Sequence, residues 1–591
     1  MPETSNSQKL SLTDTCRRAL RRTLSVSHVG QNELRTMGDR TFTDAVRKIA
    51  MVTALALFVT FLNAIKPLHV DDPYFHYYAA QIAKHPLDPL GFQIWWWGRP
   101  NAANQQLAPP VFPYWWAIGI HLFGNHEVLW KCWLVGFIWL FVYSVNELLR
   151  RFAGTLAPVL LAMTVLSPVF LPSVNLMVDI PALALGLAAI VGFMAAMDRD
   201  ASWSILGAGL LAGLAMLTKY TAFVVPGVFL AYGLVSGKPR QAFKSLTAAM
   251  TAAAVFVAWE MVIVCIYGES NFLCNLRQQD GSSHKYLNLA LPLLTVMGGV
   301  APALWLLSLA ALGTSRRIII AGMAGVIVAF VAITAVPMHY AQVTKHLTLT
   351  HVMLGAIGSL LIGTGPIIGL RLVRPNGQWL APAGSSDWFL ILWFVLEVGG
   401  YFLLSPFLAV RRVMGMYLVG TLIAGRLAAR TCGEPSRLRL IRQIAAVGIL
   451  VGFFYYGIDL REAQIQRRTA LKLTHWANRE AKAKTPWYFG LWGMQYYLDQ
   501  GGLQPVLPEQ TTLRAGDCFA VGPGFGSGNV SLDDAPIELV DQIVLRGGIP
   551  VRTFPVYYNG RLPLYHQGGP WFHVSLYRVC ADFTPHLEDT R

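Results

Sequence analysis

Charge is what this chain of 591 residues has least of: only 13% of them are Asp, Glu, Lys or Arg, while 54% are hydrophobic. A soluble domain carries about 25% charged residues, so a water-soluble globular protein is excluded and an integral membrane protein is expected. Cysteine is scarce as well. Cys16, Cys132, Cys265, Cys274, Cys432, Cys518 and Cys580 show no CxxC or Cys/His spacing, which argues against zinc or iron–sulfur chemistry. Cys518 and Cys580 lie in the polar C-terminal region and are open to disulfide pairing. No GxxxxGK[ST] loop is present, and "GPGFGSG" lacks the strand-then-helix setting of a phosphate cradle, so it reads as a turn. No internal repeat is visible, which weighs against a transporter or flippase, the competing class with many spans and intramembrane acids.

What charge there is carries a sign. The formal net charge is +15, which in a soluble protein would raise the question of nucleic acid. Here Lys and Arg gather in alternate loops between apolar segments, as the positive-inside rule requires, and no nucleic-acid partner is expected. Residues 1–48 read as a basic cytoplasmic tail, either a disordered charged segment or one in which Arg17, Arg18, Arg21 and Arg22 contact anionic membrane lipids.

A membrane helix needs about 20 mostly apolar residues. The first such segment is 49–66, entered from the basic side. Residues 67–110 then form a first external loop, and "VFPYWWAIGIHLFG" reads as an interfacial helix, since Trp and Tyr prefer that depth. Further spans are expected near 127–149, 154–173, 176–196, 203–218, 220–236, 246–267, 290–313, 318–337, 352–370, 388–409, 412–426 and 440–459. The fold class is thus an α-helical polytopic membrane protein of about 13 transmembrane helices, with a membrane domain over 49–460. Most inward-ending segments stop at basic groups such as "TSRR" and "GRLAARTCGEPSRLRLIR", which leaves 461–591 outside.

That last region changes character. "GDCFAVGP", "PVRTFPVYY" and "WFHVSLYRVC" alternate in the manner of strands between Gly and Pro turns. "ELVDQIVLRGG" reads as a helix with a glycine stop. A small C-terminal extracytoplasmic α/β domain is expected.

The candidate chemistry begins at "HVDDPYFHYYA". Asp71 and Asp72 stand side by side at the outer border, and Asp72-Pro73 suits a helix start with Asp72 as its cap. A cap accounts for one acid and not for two. Adjacent carboxylates raise one another's proton affinity, which makes a general base. His76 follows one helical turn later. Asp179, in "MVDIPAL", falls at the outer end of its span, where it is a helix cap or a functional acid with equal reason. Lys219 interrupts an apolar run and must snorkel or pair with an anion such as a phosphate. Arg411 and Arg412 begin a span from the outside, against the general charge trend. Glu260 and Glu397 fall inside spans, where acids are functional suspects and helix–helix hydrogen bonding is the equal alternative. Acids and cations on one face suit a reaction in which a base takes a proton from an acceptor hydroxyl while cations stabilise a phosphate leaving group.

These residues carry a resemblance. "VDDPYFHYYAAQIAKHPLDPLGF", "GLAMLTKYTAFVVP" and "MVDIPAL" resemble the motifs of the GT-C superfamily of membrane glycosyltransferases, in particular the protein O-mannosyltransferase and aminoarabinose transferase group. The likeness covers roughly 49–235, and "HPLDP" resembles a bacterial version. It implies sugar transfer from a polyprenyl-phosphate-linked donor to a hydroxyl on a lipid, glycan or protein acceptor, by inverting direct displacement. It also implies a bacterial cytoplasmic membrane, with the active site and C-terminal domain on the periplasmic side. Asp71 would be the base, with Asp72 and Asp179 supporting substrate or a divalent metal. Lys219 would lie near the carrier phosphate, and Arg411 and Arg412 resemble a late "RY" motif. The O-mannosyltransferase pair is Asp-Glu where this chain has Asp-Asp.

Overall fold

The structure is a computed structural model. It describes residues 43–587 apart from 97–98, 107–108, 278–284, 336–341, 345–346, 374–383, 406–408, 432–434, 481–484, 491–492, 523–529, 533, 554–561 and 567–568. The basic tail through residue 42 and most of "GPGFGSG" therefore lie outside the described residues.

Every segment read as a span is helical over much of its length. Among the described residues, eight helices are long and apolar enough to cross a membrane, or nine if one bent pair counts as a single span. That pair, Pro292–Val300 and Pro302–Ala311, turns through 77° at Pro302, which has no N–H to continue the hydrogen-bond ladder. Ser202–Met216 and Tyr220–Ser236 are shorter apolar helices, and so is Val111–Phe123, the segment read as interfacial. The expected 13 segments are thus present, while eight or nine meet the length and composition of a full crossing.

The helices that bear the site pack closely. Asp179–Arg199 lies against Val135–Ala153 and Ser202–Met216, and the last packs on Pro239–Tyr267. A Cβ on Gly209 or Gly213 would fall 2.6 Å from the Thr251 or Val255 side chain. Those glycines let the two backbones approach, as small residues do between membrane helices.

Helix Pro435–Glu480 runs unbroken through the expected boundary at 460. The sheet region beyond it begins at Pro486. Its five strands lie in the order 504–505, 486–489, 518–521, 572–579 and 537–545. Strand 486–489 is parallel to 504–505 and 518–521, and the other pairs are antiparallel. Phe489, Val506, Leu513, Phe519 and Val579 form its core. Alternation in Phe572–Val579 matches the sequence reading, with Phe572, Val574 and Leu576 turned inward.

One expectation for this region is corrected, and one open point is answered. "ELVDQIVLRGG" holds strand Ile537–Leu545 and not a helix, because its β-branched residues pair along Phe572–Val579. Cys518 and Cys580 are both free, since the sheet register sets Cys518 opposite Arg578.

The sheet region is held to the helices by a buried ion pair. Arg552 donates to Glu462 of the long helix and to the Trp571 carbonyl at 2.9 Å. Its guanidinium also lies 5.4 Å from the Trp571 ring centre and 5.3 Å from that of Phe572.

Candidate active site

The segment 66–72 enters helix Asp72–Lys84 under constraint. Asp72 is the first helical residue with Pro73 next, so the cap position falls to Asp71, and no side-chain cap bond forms. The expected cap at Asp72 is corrected for a local reason: its carboxylate accepts the His69 backbone N–H at 3.1 Å instead. Between these residues Val70 holds φ at 57°. A β-branched residue in the left-handed region costs about 1–3 kcal/mol and persists only where its surroundings over-determine it. Here the surroundings are dense. The Leu68 N–H donates to the Tyr497 hydroxyl at 2.8 Å, and Val70, His69 and Asp72 are all fully buried.

Asp71 turns the other way. Its Oδ2 accepts from Arg411 Nη1 at 2.7 Å, and the same guanidinium nitrogen stands 3.9 Å from Asp179 Oδ2. Asp179 is the first residue of its helix and has no capping bond; its other oxygen is taken by Lys219. Lys219 sits at the break between Ser202–Met216 and the short helical turn Tyr220–Phe223. It is buried and paired, so it does not snorkel. The structure therefore joins Asp71, Arg411, Asp179 and Lys219 into one chain of contacts. Each link spans dozens to hundreds of residues of sequence.

Burial sets the cations on edge. The Lys219 ammonium is pushed down to about 8, chiefly by desolvation, with Asp179 opposing the shift and the two arginines adding to it.

Lys219, Arg411, Arg412 and Asp179 border a cavity of about 80 Å³. From there its lining becomes apolar, with Ala182, Leu183, Leu187 and Ile190 from one helix and Val225 and Val228 from another. Glu397 lines it too, accepting from Trp393 Nε1 at 3.0 Å. Its carboxylate lies so close to Gly415 that a Cβ there would overlap it. Of the two intramembrane acids noted in the sequence, Glu397 thus reaches the site. Glu260 instead holds the turn before Asn271–Arg277, accepting from Ser270 Oγ at 2.5 Å and the Phe272 N–H at 3.2 Å.

The remaining candidates lie apart from the cavity. Asp72 shares no partner with Asp71; its Oδ2 lies 3.7 Å from Lys131 Nζ, and both side chains have no exposure. His76 packs among Trp116, Trp130 and Tyr496, at ring-centre distances of 5.6, 5.2 and 5.1 Å. Burial pushes its pKa down to about 4, so the ring is neutral at ordinary pH and carries no charge toward a phosphate.

A divalent cation does not suit either carboxylate expected to bind one. Asp179 is faced by Lys219 and Arg411, and Asp72 by Lys131 and the His69 N–H. Among the described residues no three His, Cys, Asp or Glu side chains converge as a metal site.

The contacts around His76 extend to helix Gln495–Gln500. Tyr77 donates to Asp499 at 2.7 Å, and Tyr496 and Tyr497 donate to Asn125 and Glu127 at 2.6 Å each. The start of the sheet region and the first loop therefore share one side of the helices.

With this geometry in view, comparison with known proteins is informative. Residues 108–264 match the family model of dolichyl-phosphate-mannose-protein mannosyltransferases. The match includes Asp179 and Lys219 and leaves the Asp71–Asp72 pair and both arginines outside it. The class it points to is that of the GT-C membrane glycosyltransferases, and the resemblance read from the sequence motifs is borne out at that level. No curated protein matches the chain by sequence.

Among solved structures, ArnT from Cupriavidus metallidurans bound to undecaprenyl phosphate is similar at 16% identity and a TM-score of 0.42, over 80% of this chain and 93% of that one. The Archaeoglobus fulgidus oligosaccharyltransferase, in a complex with Zn and sulfate, is similar at 12% identity and a TM-score of 0.44. That likeness covers 78% of this chain and only 62% of the archaeal one. At these scores the structural likenesses carry no weight for function.

Proposed function

We propose that the chain transfers a sugar from a polyprenyl-phosphate-linked donor to an acceptor hydroxyl at the outer membrane face, with inversion at the anomeric carbon. The observation that carries this reading is the two-part cavity, in which Lys219, Arg411 and Arg412 meet an apolar wall from Ala182 to Val228. A lipid phosphate has the same two parts, an anion and a hydrocarbon tail. A nucleotide sugar has no use for the apolar wall. The family matched over 108–264 is named for a dolichyl-phosphate sugar, which supports a lipid-phosphate donor.

In this reading the cations hold the carrier phosphate and Asp71 is the base. The acceptor oxygen forms its bond to the anomeric carbon while its proton passes to the Asp71 carboxylate. The bond from that carbon to the phosphate oxygen breaks, and its electron pair leaves with the polyprenyl phosphate. Lys219, Arg411 and Arg412 meet the charge that grows there, which is where fixed cations accelerate transfer most. Asp179 keeps Lys219 and Arg411 in register.

The same reading sets residues 1–48 in the cytoplasm, 49–460 in a bacterial cytoplasmic membrane and 461–591 outside it. The contacts of Tyr496 and Tyr497 with Asn125 and Glu127 support a common side for the first loop and the C-terminal region. The acceptor is a lipid, glycan or protein hydroxyl. The test is incubation of the purified protein with radiolabelled polyprenyl-phosphate sugars. Label should leave the lipid carrier; passage of an unreacted solute across vesicles, with the lipid-linked sugar untouched, would instead favour a transporter.

A further inference from the structure

Beneath Asp71 lies a group of five ionisable side chains with no exposure at all. Lys66 Nζ donates to Asp459 Oδ2 at 2.9 Å, and His69 Nε2 lies 3.2 Å from the other oxygen of Asp459. The His69 N–H reaches Asp72 Oδ2, which stands 3.7 Å from Lys131 Nζ. Lys66 also donates to the Pro172 carbonyl at 2.8 Å, and Lys131 to the Pro67 carbonyl at 3.3 Å. Two lysines and a histidine thus face two aspartates.

These contacts tie together four parts of the chain. They are the segment carrying Asp71, the loop through Pro172 that leads to Asp179, helix Glu127–Trp133 and helix Pro435–Glu480. A dehydrated ion cluster is a poor source of net stability, because desolvation offsets most of its attraction, but it can select one arrangement over others. The arrangement selected here is unusual: Val70 is held at positive φ between two members of the cluster, His69 and Asp72. That backbone conformation sends Asp71 to Arg411 while its neighbour Asp72 points into the buried group.

We propose that Asp72, with Lys66, His69, Lys131 and Asp459, is an orienting clamp that sets the Asp71 carboxylate against Arg411. Asp72 is then a positioning residue and touches no substrate. The proposal rests on the reading of Asp71 as the base, and its test separates the two.

In the full-length protein in detergent, with its seven native cysteines replaced by serine, Asp71→Cys and Arg411→Cys are bridged by a short bifunctional thiol reagent, which spans more than a disulfide can, at a rate that reports their alignment. Adding Asp72→Asn with Lys131→Met removes one ion pair without stranding a charge. Adding Lys66→Met with Asp459→Leu does so at the other end of the cluster. Cross-linking at least about tenfold slower in either background, with unchanged elution on size exclusion, supports the clamp. A parental rate in either folded variant overturns it. Asp72→Asn alone, the smallest change, serves if the double replacements do not fold, and it is judged by the same rate.

Cross-linking does not depend on any sugar donor, so it can fail while transfer succeeds, or succeed while transfer fails. A second readout separates positioning from simple support. In transfer assays Asp72→Asn with Lys131→Met lowers kcat by about tenfold or more and leaves KM for the lipid-linked donor and the unfolding temperature unchanged. An unchanged kcat, or a fall in kcat matched by a fall in unfolding temperature, contradicts the proposal.

Discussion

Arg411 Nη1 donates to Asp71 Oδ2 at 2.7 Å, joining residues 340 positions apart, and the same nitrogen stands 3.9 Å from Asp179. In the proposed reaction the base is held by a cation that the donor phosphate also needs. Donor binding should draw Arg411 toward the phosphate and release Asp71, so the donor binds first. Initial rates with both substrates varied should give an ordered pattern. Arg411→Lys, which loses the planar fork, should lower kcat/KM by about 10- to 100-fold.

Lys219 supplies a pH dependence. Its pKa lies at about 8, so the ammonium is present below that pH and lost above it. Affinity for polyprenyl phosphate should fall as pH rises through 8. In Lys219→Arg, whose guanidinium keeps its charge, the decline should disappear. Titration of binding by intrinsic fluorescence at pH 7 and pH 9 checks both.

The apolar wall can be closed from one position. A Cβ on Gly186 would stand 3.0 Å from Val225 Cγ2, so Gly186→Phe should fill the groove beside Leu187. KM for long-chain donors should rise by about tenfold or more, while a short-chain analogue that never reaches the wall is little affected. Equal effects on both would mean that the tail lies elsewhere.

His76 should act through packing. With a pKa of about 4 in the fold against about 6.5 in an unfolded chain, the unfolded state binds more protons between those values. Stability from this group is full above pH 6.5 and is lost as pH falls toward 4. His76→Phe should keep transfer activity and weaken the acid sensitivity of the unfolding temperature.

Glu462 and Arg552 test how the sheet region is held. Glu462→Ala leaves the Arg552 guanidinium buried without its anion, which costs about 3–5 kcal/mol. Thermal unfolding should shift down, and limited proteolysis should release the region after residue 480 first.

Much of the site could be read from single residues that break a local pattern. Asp71, Lys219 and the two arginines each interrupt an apolar or charge trend, and the structure gathers all of them. The spans were legible because a membrane helix needs a long apolar run whatever its neighbours are. Pairings were not legible. Lys66 meets Asp459 across 393 residues, and nothing near either residue signals the other. Lys131 drew no attention in the sequence and is fully buried. His76 appeared to belong with the acids by its helical spacing, yet the Trp and Tyr rings claim it. "ELVDQIVLRGG" suits a helix by its spacing and becomes a strand because Phe572–Val579 offers it a partner, a choice made by tertiary contact.

The most direct measurement compares single-turnover transfer from a radiolabelled polyprenyl-phosphate sugar in the parent protein and in Asp71→Asn, alongside binding of unlabelled polyprenyl phosphate to each. Loss of the base should slow transfer by about 10²- to 10⁴-fold while the carrier still binds to Lys219, Arg411 and Arg412. Transfer at the parental rate in Asp71→Asn would contradict the assignment of Asp71 as the base.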